Sequence, residues 1–436
     1  MSTLAEVHLW GRRIGAVELP TDQEVAVFEY EPAFTGSGVE VAPITMPLEA
    51  GRRYSYPGLS SRSFRGLPGL LADSLPDRYG NALIDAWLAT QGRTPESFNA
   101  VERLCYIGGR GMGALEFVPA LGPRPTKSHV IDIEALVELS AEVLDQRSGL
   151  AVSLKGTKKE QALREILRVG SSAGGARPKA LIALNPKTNE VRSGQLDADP
   201  GFEHWILKFD GVDDKTRDFG TAQGYGVVEW VYSRMAKLAG IEMTECRLLE
   251  EGSRTHFMTR RFDRLDDGSR LHLQSLGALA HLDYNQAGAH SYEEAFLAIR
   301  QLGLPMTAVE QQFRRMVFNV IARNQDDHVK NIAFLMDRGG EWRLSPAFDL
   351  TYAYNPTGPW TAEHQMSLNG KGDNFTLEDL RQVANTASMK RGRAEEILSE
   401  VIAAVKAWPG LAASAGVEAD RVDKIERTHR LQLPAA

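Results

Sequence analysis

Eight residues, NQDDHVKN at Asn324–Asn331, carry the strongest chemical signal in this sequence. They follow an apolar run at residues 313–321, whose spacing predicts a helix, and they precede a second apolar segment at residues 332–335. A polar octet between two buried segments is predicted to be a loop held by rigid neighbours, where binding and catalytic groups often lie. Taken alone, the octet is equally compatible with an ordinary turn rich in Asp and Asn.

Two residues of the octet and one beyond it give it a chemical interpretation. Asp326 precedes Asn331 by five positions, and Asp349 lies eighteen positions after Asn331 in the segment LSPAFDL. Protein-kinase active sites contain a carboxylate, an amide and a second carboxylate in this order. Asn331 and Asp349 would supply the hard oxygen ligands that magnesium prefers. Asp326 would accept or orient the proton of a substrate hydroxyl.

The two cationic side chains of the octet have less specific interpretations. Lys330 could lie against a transferring phosphate, and the alternative is an ordinary surface lysine. His328 is predicted to brace the loop by hydrogen bonding rather than to take part in catalysis, because Asp326 already fills the position of the base.

A lysine and a glutamate upstream of the octet form a second pattern. Lys208 lies near the end of an apolar strand predicted at residues 203–209, and Glu229 lies near the middle of a helix predicted at residues 221–238. A buried ammonium group needs a partner. A strand lysine followed by a helix glutamate is the pair that positions ATP phosphates in kinases. The alternative is an edge-strand lysine that reaches water.

Two runs of small residues could approach phosphate. The first, Val169–Lys179, precedes a strand predicted at residues 180–184, and small side chains let backbone N–H groups come close to a phosphate. It matches neither a Walker A loop nor Gly-x-Gly-x-x-Gly, and a surface loop is equally compatible. The second, residues 107–113, is predicted to be a tight connection where backbone passes close to backbone.

Length and composition limit the class of protein. A chain of 436 residues with 43% hydrophobic and 25% charged residues is predicted to be a soluble globular protein of two or three domains. A net charge of -7 argues against a chain that wraps nucleic acid by itself. Two distant cysteines predict neither a disulfide framework nor a metal cluster. No signal peptide or membrane helix is recognised, so we expect a cytoplasmic protein.

The separate signals occur in one order along the chain. A small-residue loop, a strand lysine, a helix glutamate and a hinge at Arg260–Arg264 precede a helical half that contains the octet and Asp349. Transfer of a γ-phosphoryl group is mostly positioning and charge neutralisation, so a lysine and metal ligands must converge on the phosphates. The order therefore predicts a phosphotransferase that uses ATP and Mg²⁺.

The same motifs resemble those of the HipA family, the serine/threonine-protein kinases of bacterial toxin–antitoxin systems. The resemblance is carried by the octet with SPAFD at Ser345–Asp349, by RFDR at Arg261–Arg264 and by SAGGARPK at Ser172–Lys179. It extends to the amino-terminal part of the chain, and so to nearly all of it, through GLP at Gly66–Pro68, LPD at Leu75–Asp77 and GALEF at Gly113–Phe117.

The resemblance implies an α+β fold. It would be a two-lobed, atypical protein-kinase-like fold with a β-rich N-lobe, an all-helical C-lobe and an added N-terminal β-rich subdomain. The implied boundaries are residues 1–122 for the N-terminal subdomain, 123–262 for the N-lobe and 263–436 for the C-lobe.

The resemblance also implies roles for the residues of the octet and its metal partner. Asp326 would be the catalytic aspartate with Lys330 beside it, and Asn331 and Asp349 would bind magnesium. Lys208 would contact the phosphates of ATP.

The remaining implied contacts are with the nucleotide and with the phosphate loop. The backbone of Arg260 and Phe262 would meet adenine, and Asp263 would meet ribose. Ser172 matches the family's autophosphorylated serine, whose modification pulls the phosphate loop out and silences the kinase; Ser171 is the alternative. The other implied ATP-binding residues are Ala173, Gly174, Gly175, Ala176, Lys179, Glu229, His328 and Asn331.

The family's partners become expectations for this chain. They are a small helix-turn-helix, HipB-like antitoxin that contacts DNA, which fits the acidic balance here, and a substrate among the aminoacyl-tRNA synthetases, glutamyl-tRNA synthetase first. The chain departs from the family at Gly175–Pro178, where a Gly-Ala-Gln-Glu-like run is expected and Pro178 removes an N–H donor. The alternatives are a small-molecule kinase of the same architecture and an inactive corepressor that binds an antitoxin.

Overall fold

The computed structural model describes residues 2–122, 131–145, 166, 177–194, 201–212 and 224–435, with the backbone alone at residues 142–145. The described residues include three sheets of three or more strands. They are an N-terminal sheet, a central sheet and a smaller sheet in the C-terminal half.

The N-terminal sheet has five antiparallel strands in the order β4-β3-β2-β1-β5. Buried and exposed positions alternate along β1, as expected for a sheet with one covered face. Its strands are β1 (Thr3–Leu9), β2 (Arg12–Leu19), β3 (Val27–Tyr30), β4 (Arg53–Tyr54) and β5 (Leu115–Val118). The helices of this module are α1 (Pro32–Thr35), α2 (Ser61–Phe64), α3 (Gly69–Ala72), α4 (Arg78–Thr90), a 3₁₀ turn (Pro95–Ser97) and α5 (Ala100–Ile107).

The central sheet is also antiparallel, with strand order β7-β6-β8-β10-β9. All six residues of β6 are buried, which is the pattern of a strand covered on both faces. Its strands are β6 (Lys179–Leu184), β7 (Val191–Ser193), β8 (Glu203–Lys208), β9 (Cys246–Glu251) and β10 (Arg254–Arg260), with helices α6 (Ile133–Asp145) and α7 (Tyr225–Leu238).

Helices from two parts of the chain cover this sheet. Side chains of α4 and α6 share one apolar cluster with β6 and β8, so the N-terminal module and the central sheet have a common core. On α7, a Cβ at Gly226 would lie 2.9 Å from the carbonyl oxygen of Thr255, so the helix packs directly against β10. The boundaries at residues 122 and 262 stay predictions.

The C-terminal half holds the largest apolar cluster. Its helices are α8 (Leu276–Leu279), α9 (Tyr292–Gln301), α10 (Met306–Ile321), α11 (Leu377–Thr386), α12 (Arg393–Val405), α13 (Trp408–Ser414) and α14 (Ala419–Glu426), and a 3₁₀ turn spans Val329–Asn331. The segment Arg393–Ser414, which comprises α12 and α13, is long and apolar enough to cross a membrane by length and composition alone. It contributes Ile397, Val401, Val405 and Trp408 to the core.

The prediction of an all-helical C-terminal half is wrong. Strands β11 (His272–Ser275), β13 (Ala333–Met336) and β14 (Trp342–Leu344) form an antiparallel sheet, and β12 (His290–Ser291) pairs with β15 (Met366–Ser367). The physical reason is that the apolar run after the octet is too short for a helix and turns back on itself at residues 337–341.

Candidate active site

The polar octet lies between α10 and β13, as predicted. Its first half is irregular and its second half forms the 3₁₀ turn Val329–Asn331. The side-chain Nδ2 of Asn331 donates a hydrogen bond to the backbone carbonyl of Asp326 at 2.8 Å. This bond closes the loop, and it leaves the amide oxygen of Asn331 available to a cation.

Asp327 anchors the loop, a role that sequence reasoning missed. Its buried carboxylate accepts hydrogen bonds from the hydroxyl of Tyr292 at 2.5 Å, from Nδ1 of His364 at 2.6 Å and from the backbone N–H of Gln365 at 2.8 Å. Burial alone would raise the pKa of Asp327, but His364 and these hydrogen bonds hold it below its ordinary value. The adjacent aspartates were visible in sequence, but nothing there identified which of them turns inward.

The hydrogen bonds of Asp327 brace the loop, and the bracing role predicted for His328 stays a prediction. Nδ1 of His328 is buried and has no hydrogen-bond partner among the described residues. The imidazole ring instead lies beside Tyr284, with 5.9 Å between ring centroids. Nζ of Lys330 lies 4.8 Å from the centroid of the same tyrosine ring. Lys330 is therefore partly covered by an aromatic side chain rather than an ordinary surface lysine.

The ion pair predicted between Lys208 and Glu229 is present. Nζ of Lys208 donates to Oε1 of Glu229 at 2.5 Å and to Oδ1 of Asp349 at 2.5 Å. The side chains of Lys208 and Glu229 are 12% and 2% exposed. Burial would lower the pKa of Lys208, but Asp349 and Glu229 raise it above its ordinary value. The ammonium group of Lys208 thus joins the central sheet, α7 and the C-terminal half.

Asp349 is the more accessible carboxylate of this centre, with a side chain that is 28% exposed. Burial would raise its pKa, but Lys208 and Lys179 lower the pKa of Asp349 to about 2. Its backbone has φ of +53°, a left-handed conformation that aspartate tolerates better than most residues. The preceding Phe348 packs against Phe262, with 5.6 Å between ring centroids.

Asn331 and Asp349 are suitable for holding a magnesium ion. One offers an amide oxygen and the other an ionised, partly exposed carboxylate, and both are hard oxygen donors. In the part of the chain that the structure describes, no group of three or more His, Cys, Asp and Glu side chains forms an all-protein metal cage. The remaining coordination positions would therefore belong to nucleotide phosphates and water, as is usual for Mg²⁺.

Arg260, the first residue of the predicted hinge, already makes hydrogen bonds through its backbone N–H and carbonyl groups. The N–H of Arg260 donates to the carbonyl of Glu245 at 2.8 Å, and its carbonyl accepts a hydrogen bond from the hydroxyl of Thr244 at 3.0 Å. An adenine contact could use only the second lone pair of that carbonyl. Adenine recognition by Arg260 and Phe262 stays a prediction.

Asp263 lies in a different environment from the one that a ribose contact requires. Its carboxylate is fully buried and accepts hydrogen bonds from Arg261 at 2.7 and 2.9 Å, from Arg264 at 2.8 Å and from the N–H of Gly113 at 2.7 Å. Burial would raise its pKa, but the two guanidinium groups and the Gly113 amide hold the pKa of Asp263 well below its usual range. This geometry does not support the ribose contact that the family resemblance implies.

The glycine-rich run at residues 107–113 is the partner of Asp263. Both arginines also donate to the carbonyl of Gly111, and Arg264 donates to that of Gly113. A Cβ at Gly113 would lie 3.0 Å from the backbone nitrogen of Leu273. The prediction of a tight connection between passing backbones is confirmed.

Lys179 lies next to Lys208, because the two residues are directly opposite in the β6–β8 ladder. Its Nζ lies 3.8 Å from Oδ2 of Asp77, a carboxylate from the N-terminal module that site prediction also missed. The available signal was the position of Asp77 before a helical pattern, which predicts a helix cap. Six predicted site residues lie outside the described residues: Ser171, Ser172, Ala173, Gly174, Gly175 and Ala176.

Two family models match the sequence. Residues 171–408 match the model described as the HipA-like C-terminal domain, and residues 5–118 match the HipA N-terminal domain.

Individual relatives are distant. The Y4mE protein of Sinorhizobium fredii, whose name carries a provisional kinase assignment, is 27% identical over 137 residues. That alignment covers 29% of this chain and only 32% of the relative, so the two share about a third of their lengths.

One solved structure shares the fold of nearly the whole chain. HipA in the Shewanella oneidensis HipA–HipB–operator DNA complex has a TM-score of 0.68 at 19% identity, covering 98% of this chain and 95% of that one. The Helicobacter pylori kinase CtkA has a TM-score of 0.29 at 12% identity, covering 51% of this chain and 92% of that one, which is too low to support an argument.

Proposed function

The chain belongs to the HipA family, and we propose that it is an ATP- and Mg²⁺-dependent serine/threonine-protein kinase, the toxin of a toxin–antitoxin pair. The observation that carries the proposal is the convergence of Lys208, Glu229 and Asp349 from three distant parts of the sequence. A scaffold without catalytic activity would have no need of this arrangement, because removing the charges of Lys208 and Glu229 from water costs free energy.

Each charged group has a chemical task in this proposal. Lys208 neutralises phosphate charge, and Glu229 fixes the direction of its ammonium group. Asp349 and Asn331 would hold magnesium, which supplies charge neutralisation when bound. Asp326, a partly exposed residue of the octet, accepts or orients the hydroxyl proton of the substrate. Lys330, whose Nζ lies over the ring of Tyr284, is adjacent to Asn331 in the sequence and assists the transferring phosphate.

The proposed partners follow the solved relative. That structure contains HipA with HipB and operator DNA, so we propose a small helix-turn-helix antitoxin for this chain, with DNA contacted mainly through it. The net charge of -7 agrees with a toxin that leaves most DNA contacts to its partner. The proposed substrate is an aminoacyl-tRNA synthetase in the cytoplasm, with glutamyl-tRNA synthetase as the first candidate.

Incubation with Mg²⁺ and ATP tests both the chemistry and the proposed self-silencing. We expect phosphate on Ser172, or on Ser171, in the wild-type protein, and none in Asp326→Asn or Asp349→Asn, as measured by mass spectrometry. Wild-type protein that binds ATP but modifies neither serine would remove the autophosphorylation proposal.

Phosphoproteomics of cells expressing wild type or Asp349→Asn would identify the substrate class. A synthetase labelled only by the wild type supports the proposal. Labelling confined to small molecules would instead indicate a small-molecule kinase. Repression with a partner antitoxin in the absence of any phosphorylation would indicate an inactive corepressor.

A further inference from the structure

A carboxylate of the N-terminal module reaches Lys179, one of the predicted ATP-binding residues. Asp77 caps helix α4, where its Oδ1 accepts a hydrogen bond from the backbone N–H of Gly80 at 2.7 Å. Its other oxygen, Oδ2, is buried, accepts no hydrogen bond from any described residue and lies 3.8 Å from Nζ of Lys179. One carboxylate therefore serves as a helix cap and as an ionic partner at the same time.

The charges around Lys179 show why this partner matters. The lysine side chain is 3% exposed, and Lys208 lies directly opposite it in the ladder. Burial lowers the pKa of Lys179, Asp77 is the strongest opposing influence, and Asp349 and Glu229 also oppose it. Glu229 and Asp349 are already bonded to Lys208. Among the described residues, Asp77 is therefore a carboxylate that pairs with Lys179 and not with Lys208.

We propose that Asp77 is a positioning residue that acts through Lys179, serving as its counter-ion until the phosphates of a nucleotide take that place. The inference rests on the proposed kinase function, because it requires anionic phosphates beside Lys179. In the nucleotide-free protein the pair compensates a buried ammonium group. Nucleotide phosphates must compete with Asp77 for that group, so nucleotide binding is coupled to the contact between the N-terminal module and the central sheet.

Substitutions can separate the charge of Asp77 from its capping role. Asp77→Asn retains Oδ1 as an acceptor for Gly80 and removes only the charge, since asparagine is an equally good helix cap. Lys179→Met removes the group through which Asp77 acts, and Lys179→Arg restores its charge. Asp132→Asn is the matched control, because Asp132 is exposed and accepts a hydrogen bond from the N–H of Ala135 near the start of α6 at 3.1 Å.

Isothermal titration calorimetry with ATP and with adenosine, both in EDTA, measures the proposed competition without metal or turnover. We expect Asp77→Asn to tighten ATP binding by about fivefold to tenfold and to leave adenosine binding unchanged. Asp132→Asn should change neither. In the Lys179→Met background the effect of Asp77→Asn on ATP should fall below about twofold, and in the Lys179→Arg background it should return. Thermal unfolding should show lower stability of nucleotide-free Asp77→Asn and a larger stabilisation by ATP.

Unchanged or weaker ATP binding by Asp77→Asn would overturn the inference. An effect of equal size with and without a cation at position 179 would also overturn it, because Asp77 would then repel phosphate directly. Wild-type protein that binds ATP no better than adenosine would instead refute the proposed kinase function, and that result is read before any variant is compared.

Discussion

At the scale of single residues, the neighbouring residues Asp326 and Asp327 have different tasks. Asp327 anchors the octet, and the proposed task of Asp326 is to accept or orient the proton of the substrate hydroxyl. Asp327 is 3% exposed and bonded to three groups, whereas Asp326 is partly exposed and contributes its backbone carbonyl to the closing bond from Asn331. The rigidity of one carboxylate fixes the position of the other. The proposed role of Asp326 could be predicted from sequence, because its spacing from Asn331 is the one that phosphoryl transfer requires. The inward turn of Asp327 was not, because His364 is 37 positions away.

Asp327→Asn tests this division of tasks. The change keeps the size of the side chain but removes the charge that balances the hydrogen-bond donors around it, so we expect a loss of about 2–4 kcal/mol in the free energy of unfolding. The kcat for phosphorylation should fall by at least about tenfold while the KM for ATP changes little, because the loop carrying Asp326 loses its anchor. Denaturant unfolding and steady-state kinetics would measure both effects. A fall in kcat without any loss of stability would contradict the anchoring role.

At the scale of elements, the segment after β10 joins the N-terminal module to the rest of the chain. Asp263, with Arg261 and Arg264, holds the glycine-rich run at residues 107–113. The sequence predicted strands β6 and β8, helices α7 and α10 and the tight connection, because periodicity and glycine content are local properties. It did not predict that Asp263 is buried, since the glycine-rich run that it and Arg261 contact lies about 150 positions away in the sequence.

Acid unfolding of Asp263→Asn tests how much the contact between Asp263 and the glycine-rich run stabilises the protein. The pKa of Asp263 is lower in the folded protein than in an unfolded chain, where it is about 3.9. Its ionised form therefore stabilises the fold above about pH 4, and this contribution is lost as the pH falls toward the folded pKa. We expect the variant to lose about 3–5 kcal/mol at pH 7. Its stability should also decline less than that of the wild type between pH 5 and pH 3 in denaturant titrations at each pH. Parallel pH profiles for the two proteins would contradict this prediction.

At the scale of the whole molecule, Arg430 lies far along the sequence from the octet but contacts a residue that holds it. Nη1 of Arg430 donates to Nε2 of His364 at 3.1 Å, and its guanidinium group also pairs with Asp373. Arginine cannot accept a hydrogen bond, so the proton of His364 lies on Nδ1 and points at Asp327. Arg430 thereby fixes the tautomer of a histidine that holds the octet. No sequence pattern could reveal a contact of this kind.

Arg430→Gln is expected to weaken catalysis from this distance. Glutamine retains an N–H donor but is shorter and uncharged, so His364 and Asp373 both lose a partner. We expect a fall of several-fold in kcat, a loss of about 1–3 kcal/mol in unfolding free energy and unchanged adenosine binding. Exposed Arg427→Gln, three positions earlier, serves as the control and should behave as wild type. Equal behaviour of the two variants would show that Arg430 has no influence on the octet.

The core shared by α4, α6 and the central sheet has a consequence for recombining modules between relatives. A chimera joined near residue 122 would take α4 from one parent and β6 from the other, so two surfaces that evolved apart would have to fit. Residues 123–436 expressed alone would leave the face of β6 that α4 covers in contact with water. The segments that can be exchanged between relatives are therefore set by packing. A chimera should take α4 and the central sheet from the same parent.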